Sequence, residues 1–329
     1  MNKKTEINTL NTLFFLLVVF IHVSSEPIKR LDRQSVEFGI MMVLWHLTSF
    51  VMQGFVFLSG LKIFLNTKSS FSYPQFIWRR FYKTYLPFVI WTLAYFIYFW
   101  LRGYYELSLA RLGKYLWLGN IVSPFYFIVV IMQFYLLMPL WRLIVEKVRP
   151  AVGILSALVI MVLMKQARIQ YNDRIFTTYL LFWIMGCYAG RRYDDFKAIL
   201  SKRAGIALIC TAIGSAAFDC YFKYRSMTSN LSIPFQENLH LLYSVATILA
   251  LTYIFSNRNF FVLQKISYMG FTVFLSHVLF MNIINERMDF YGLSKISLRF
   301  GLRVVFVYSL SLLTGFIWRQ IVKKVRLKV

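Results

Sequence analysis

Four histidines are the only side chains of this 329-residue chain whose ordinary titration falls near neutral pH. His22, His46 and His277 lie within long apolar stretches, and His240 opens another. A polar group held at membrane depth is costly, so each marks a candidate site. His22 follows Asn11 by eleven residues. On a helix the two differ by about 20° in azimuth and about 16 Å in height. Asn8 shares the Asn11 face one turn away, which gives the first stretch a polar line. If that helix runs one turn further, Glu26 stands at i+4 from His22. A carboxylate there could orient an imidazole and raise its basicity, as in a dyad that takes a proton from a hydroxyl. An interfacial histidine followed by a solvated glutamate has the same spacing.

His46, Ser49 and Gln53 follow i, i+3, i+7 spacing on one face of the second stretch, which closes on Ser59-Gly60. His46 lies about 10 Å from the outer end of its segment, close to the depth of His22. The two imidazoles can therefore meet across a helix contact, although polar and small residues at this spacing also serve packing alone. Next comes a basic aromatic run, Tyr73 to Lys83. Its Arg79 and Arg80 could grip phosphates bidentately, and a positive-inside loop has the same composition. Gln133 and Tyr135 stand at mid-depth of the fourth stretch, ahead of Pro139, and His277 at mid-depth of the ninth. With His46 and Gln53 they are candidates for polarising a carbonyl or touching substrate. No Gly-rich phosphate loop, nucleophile elbow or metal-ligand spacing occurs, so no metal is expected. Cys187, Cys210 and Cys220 read as packed thiols.

The elements that carry these residues are apolar. Hydrophobic residues are 59% of the chain, mean hydropathy is +0.59, and charged residues are 15%, against about 25% in soluble domains. Disorder is excluded by 33 Phe, 21 Tyr and 8 Trp. Three cysteines exclude a disulfide scaffold or a zinc ribbon. Ten segments approach span length, at about 7–23, 39–61, 84–101, 124–141, 151–165, 175–190, 204–222, 239–256, 266–284 and 302–318. The first lacks a cleavage site and reads as a retained helix. Backbone groups in lipid must be satisfied within the segment. The expected fold is thus all-α, a polytopic bundle of about ten helices in one domain with no appended soluble domain.

An even number of spans leaves both termini on one side. With the N-terminus inside, inner segments hold 22 of the 37 cations and 4 of the 13 acids, and outer segments hold 15 and 9. This asymmetry predicts N-in and C-in. It also explains the net charge of +24 without nucleic acid. The sequence shows no internal repeat, which disfavours the repeat-built secondary transporters.

In order and spacing the segments resemble the acyltransferase family 3 membrane enzymes, which O-acylate glycans and other acceptors. Leu10 to Ser24 is similar to that family's first helix, in which an Arg and a His stand apart by ten residues. Gly54 to Gly60 (GFVFLSG) resembles its Phe-rich Ser-Gly motif, and Trp78 to Pro87 its basic stretch leading to a proline. Phe125 to Pro139, Phe182 to Gly190 and Ser267 to Leu279 resemble its aromatic–Gln–Tyr–Pro helix, its Gly-containing helix and its late Ser-to-His motif. Two positions depart: Asn11 stands where the family has Arg, and Pro124 lies near a position where a His is often found. The run Phe127 to Phe134 looks most like the subgroup of intercellular-adhesin (poly-N-acetylglucosamine) systems, whose members are described as exporters or as O-succinyltransferases.

The resemblance implies acyl transfer across a bacterial plasma membrane. Cytoplasmic acyl-CoA is the expected cosubstrate, with no tightly bound cofactor. The acceptor is a glycan or lipid-linked sugar, and membrane lipids and polysaccharide-synthesis machinery are the expected partners. His22 would be base or acyl carrier, oriented by Glu26. Asn11, Ser59, Arg79 and Arg80 would handle the donor. An exporter or flippase, whose polar residues line a path, and a degenerate scaffold marked by Asn11 are the competing readings.

Overall fold

The computed structural model describes residues 3–66, 71–167, 169–229, 231, 234–258 and 260–326. Lys68, Arg168 and Lys328, counted above among the loop cations, lie outside the described residues. Every regular element is helical, with no strand among the described residues. In chain order the helices begin with α1 (Lys3–Val23), α2 (Ser25–Arg30), α3 (Val36–His46), α4 (Val51–Asn66), α5 (Tyr73–Arg80) and α6 (Leu86–Leu101). There follow α7 (Leu109–Leu118), α8 (Tyr126–Leu136), α9 (Met138–Lys147), α10 (Pro150–Gln166), α11 (Leu180–Arg191) and α12 (Tyr193–Ile199). The last are α13 (Lys202–Ser229), α14 (Gln236–Asn257), α15 (Phe261–Ile266), α16 (Gly270–Phe290) and α17 (Ile296–Arg326).

Among the described residues seven helices are long and apolar enough to cross a membrane: Thr5–Arg30, Val36–Asn66, Tyr73–Leu101, Lys202–Ser229, Gln236–Asn257, Phe261–Phe290 and Ile296–Val322. An eighth is obtained if Leu109–Leu118 and Ser123–Leu136, bent by 59°, count as one span. Fewer spans are found than the ten read from sequence. The fifth segment falls on α10 and the sixth on α11, of 17 and 12 residues. At 1.5 Å per residue these reach about 26 and 18 Å, short of a hydrocarbon core of about 30 Å. Hydropathy marks both as apolar, but α11 is buried along nearly its whole length in protein. Long exposed apolar side chains, such as Leu155 and Leu163 on α10 and Phe306 and Leu313 on α17, give the helices a lipid-compatible face.

The chain forms two compact units, residues 1–55 with 194–329 and residues 56–193, and passes between them within α4 and α12. In the first unit α13 packs along α14, α16 packs along α17, and α1 lies against α14 to α17. Phe15, Val19 and Val23 recur every four residues on α1, so one stripe buries against Met269, Val273 and Val307. Thr12 Oγ1 donates to Leu263 O at 2.6 Å and Tyr308 Oη to Leu16 O at 2.7 Å, which fixes α1 in register.

In the second unit α4 and α11 meet through glycines. A Cβ at Gly60 would stand 2.8 Å from the Trp183 carbonyl oxygen, and one at Gly186 would run into that of Phe57. Gly186 and Gly190 form a small-xxx-small pair that lets two backbones approach without a hydrophobic driving force in lipid. The bend after α7 turns on Gly119, whose φ of 61° suits a residue without Cβ.

Candidate functional site

In the first unit the helix of His22 does continue. Ser24 N donates to Phe20 O and Ile28 N to Ser24 O, so α2 prolongs α1 and Glu26 falls one turn beyond His22. The glutamate does not turn back to the imidazole. Its Oε1 accepts from Arg299 Nε at 2.7 Å and from Arg30 Nη1 at 2.6 Å, and its Oε2 lies 3.1 Å from Arg303 Nη2. Arg299 also donates to Asp289 and to the Leu293 carbonyl oxygen. Arg303 donates from Nε to Asn285 Oδ1 at 2.7 Å and from Nη1 to Val23 O at 3.3 Å. Both arginines are buried, as a charge at this depth must be when it pairs with protein rather than lipid. Sequence reasoning counted them as loop cations. Their i, i+4 spacing at the start of an apolar helix was the available signal.

The ring beside His22 belongs to His277, with centroids 5.1 Å apart. His277 is fully buried on α16. Its Nδ1 faces the Val273 carbonyl oxygen at 3.1 Å. A carbonyl only accepts, so Nδ1 carries the proton and Nε2 keeps its lone pair. Nε2 has no hydrogen-bond partner among the described residues. An imidazole in this tautomer, with its basic nitrogen uncommitted beside a second imidazole, is equipped for proton transfer.

The remaining sequence-predicted residues of this unit fall elsewhere. Asn11 Nδ2 turns to Ser267 O at 3.5 Å, beside Gly270. The Gln53 amide, oriented to satisfy its donors, bonds back to the Ser49 and Phe50 carbonyl oxygens of its own turn. The contact anticipated between His46 and His22 is not made. His46 instead approaches Asp219 and His240, from helices too distant in sequence for spacing arguments to link.

In the second unit Arg79 is exposed, whereas Arg80 is half-buried and lies over the rings of Phe76 and Tyr135 at 5.1 and 5.0 Å. Two predicted residues, Arg80 and Tyr135, are thus brought together. Half-buried Lys62 stands within electrostatic reach of Arg80, and Ser59 is one turn before it on α4. After Arg80 the helix widens into a π-turn over Phe81–Tyr85, a distortion frequent at functional sites. Gln133 is engaged at both ends: Nε2 donates to Arg174 O at 2.7 Å and Oε1 accepts from Phe176 N at 3.0 Å. A cavity of about 570 Å³, lined by Phe81, Tyr85, Trp117, Gln133, Tyr171 and Arg174, opens beside it and is of ligand size.

Long apolar helices around buried imidazoles and arginines define a multi-pass integral membrane protein with a polar interior. The family model described as an acyltransferase domain matches residues 4–318, and the chain belongs to that family, acyltransferase family 3. No curated protein and no solved structure matches it.

Proposed function

We propose that the protein is an O-acyltransferase of a bacterial plasma membrane, with the bent pair Leu109–Leu118 and Ser123–Leu136 as an eighth span and so both termini in the cytoplasm. It moves an acetyl or succinyl group from cytoplasmic acyl-CoA to a hydroxyl of an extracytoplasmic glycan or lipid-linked sugar. The observation that carries this reading is the His22–His277 pair, in which the Val273 hydrogen bond leaves the lone pair of a buried Nε2 free to accept a proton. A sugar hydroxyl is far too weak an acid to ionise at neutral pH and needs such a base. The hydroxyl proton passes to Nε2, the oxygen attacks the thioester carbonyl carbon, and the C–S bond breaks. The proton then leaves with the coenzyme A thiolate as thiol. The cationic frame of Arg299 and Arg303 around Glu26 holds the end of the first helix, and so the height of His22. For the donor, the paired cations Lys62 and Arg80, with exposed Arg79, supply an electropositive place for phosphates in the second unit. The resemblance to adhesin systems supports an amino-sugar polymer as acceptor.

Purified protein in vesicles, given acyl-labelled CoA and a glycan acceptor, tests this. Label is expected in the acceptor, and His277→Ala and His22→Ala are each expected to lower the rate about 10²- to 10⁴-fold with unchanged size-exclusion profiles. Full activity of both variants would remove the base, and glycan translocation without label transfer would favour the exporter. A non-catalytic scaffold is favoured by one observation, the Asn11 amide spent on the Ser267 carbonyl. Donor hydrolysis that appears only in Asn11→Arg would support it.

A further inference from the structure

We propose that His46, Asp219 and His240 form a binding site for one divalent transition-metal ion, zinc foremost, apart from the histidine pair of the acyl-transfer reading. Their ligand atoms lie within 4.8 Å of one another. Asp219 Oδ2 stands 2.9 Å from His46 Nε2 and 2.7 Å from His240 Nδ1, and the two rings are 5.4 Å apart. Three helices contribute: His46 ends α3, Asp219 lies within α13, and His240 is in the first turns of α14. The donor set of two imidazoles and one carboxylate suits zinc or another first-row divalent ion, with a fourth position open to water.

Three observations favour an ion over a plain hydrogen-bonded relay. Asp219 is fully buried within an apolar helix, and among the described residues its ion-pair partners are the two histidines. A buried carboxylate requires a compensating positive charge. Asp219 Oδ1 has no hydrogen-bond partner among the described residues, so half of the carboxylate is unspent. His46 Nε2, although 2.9 Å from Oδ2, has no hydrogen-bond partner among the described residues. A nitrogen and an oxygen this close, with the nitrogen left unsatisfied, are at the spacing of co-ligands on a shared ion. Ligands at about 2.0–2.1 Å in a tetrahedron stand about 3.4 Å apart, so the two nitrogen–oxygen pairs, at 2.9 and 2.7 Å, would open by about 0.5 and 0.7 Å as the imidazole nitrogens settle around the ion.

The test uses full-length protein in detergent, stripped with chelator and titrated separately with Zn²⁺ and Co²⁺. One equivalent per chain is expected to survive desalting, and Co²⁺ is expected to give the strong visible absorption of four-coordination. X-ray absorption of the zinc form should show imidazole nitrogen at bonding distance, a readout that needs no variant. His46→Ala, His240→Ala and Asp219→Asn should each abolish stoichiometric retention. Retention of neither ion by the wild-type protein would overturn the site and leave a proton relay. Retention unchanged in all three variants would overturn it equally. Neither result bears on the His22–His277 chemistry, which is read by acyl transfer.

Discussion

Replacing Glu26 with Gln separates two roles that sequence alone cannot tell apart. A carboxylate that orients His22 would, once neutralised, slow the reaction and leave the fold unchanged. The structure instead makes Glu26 the shared counter-ion of two buried arginines, at 2.7 Å from Arg299 Nε and 3.1 Å from Arg303 Nη2. An amide of the same shape removes the charge and turns an NH₂ donor towards a guanidinium donor. Breaking a buried pair costs about 3–5 kcal/mol because the partner charge stays buried. Arg299 keeps Asp289 at 2.7 Å, and Arg303 keeps only neutral acceptors on Asn285 and Val23. One arginine rather than two is orphaned, so the lower end applies, about 3 kcal/mol, or somewhat over 100-fold in the folding equilibrium. The contact with Arg30, whose side chain is 44% exposed, adds little. The assay is SDS-induced unfolding of detergent-purified protein. Glu26→Leu combined with Arg303→Leu should recover much of the loss, since an apolar replacement of a whole buried pair is often near neutral. A Glu26→Gln variant as stable as the parent to within about 0.5 kcal/mol, with acyl transfer impaired, would refute the counter-ion argument and restore the orienting one.

Three other outcomes follow from the geometry. Gly186→Leu, which drives a side chain into the Phe57 carbonyl oxygen, should destabilise the second unit by at least about 1–3 kcal/mol in the same unfolding assay. Gln133→Leu leaves the Phe176 amide and the Arg174 carbonyl without their partner, and should cost about 1–3 kcal/mol and speed proteolysis of the 170–176 segment. Tyr105, in the connection after α6, has its phenol pushed up from 10.0 to about 12, by burial first and by Tyr115 second. The fold therefore favours the neutral phenol, and stability contributed by Tyr105 is present below pH 10 and lost as pH rises through about 12. Tyr105→Phe should flatten that part of the alkaline stability curve, and an unchanged curve would contradict the assignment.

Much of the fold was legible because hydropathy acts locally: seven of the ten apolar segments are long membrane-compatible helices. Of the two short segments, α10 falls short by length alone, whereas α11 misleads for a physical reason. A helix wrapped in protein, such as α11, is as apolar as one wrapped in lipid, and hydropathy does not report which surrounds it. Of the residues that the sequence singled out by type, the structure brings His22 beside His277 and Arg80 over Tyr135. The pairing itself was not legible.

What the sequence by itself determined is the all-helical membrane class, the family and the few polar residues that lipid could not hold without purpose. The class and the polar residues follow from composition and short-range spacing, which act within one helix, and the family from the resemblance of its motifs in their order. Only the tertiary structure decided that His22 meets His277, that Glu26 serves Arg299 and Arg303, and that Asp219 gathers His46 and His240. Those choices depend on which helix faces are pressed together. Residues some 250 or more positions apart along the chain come within hydrogen-bonding distance through packing, and no periodicity along one segment encodes that.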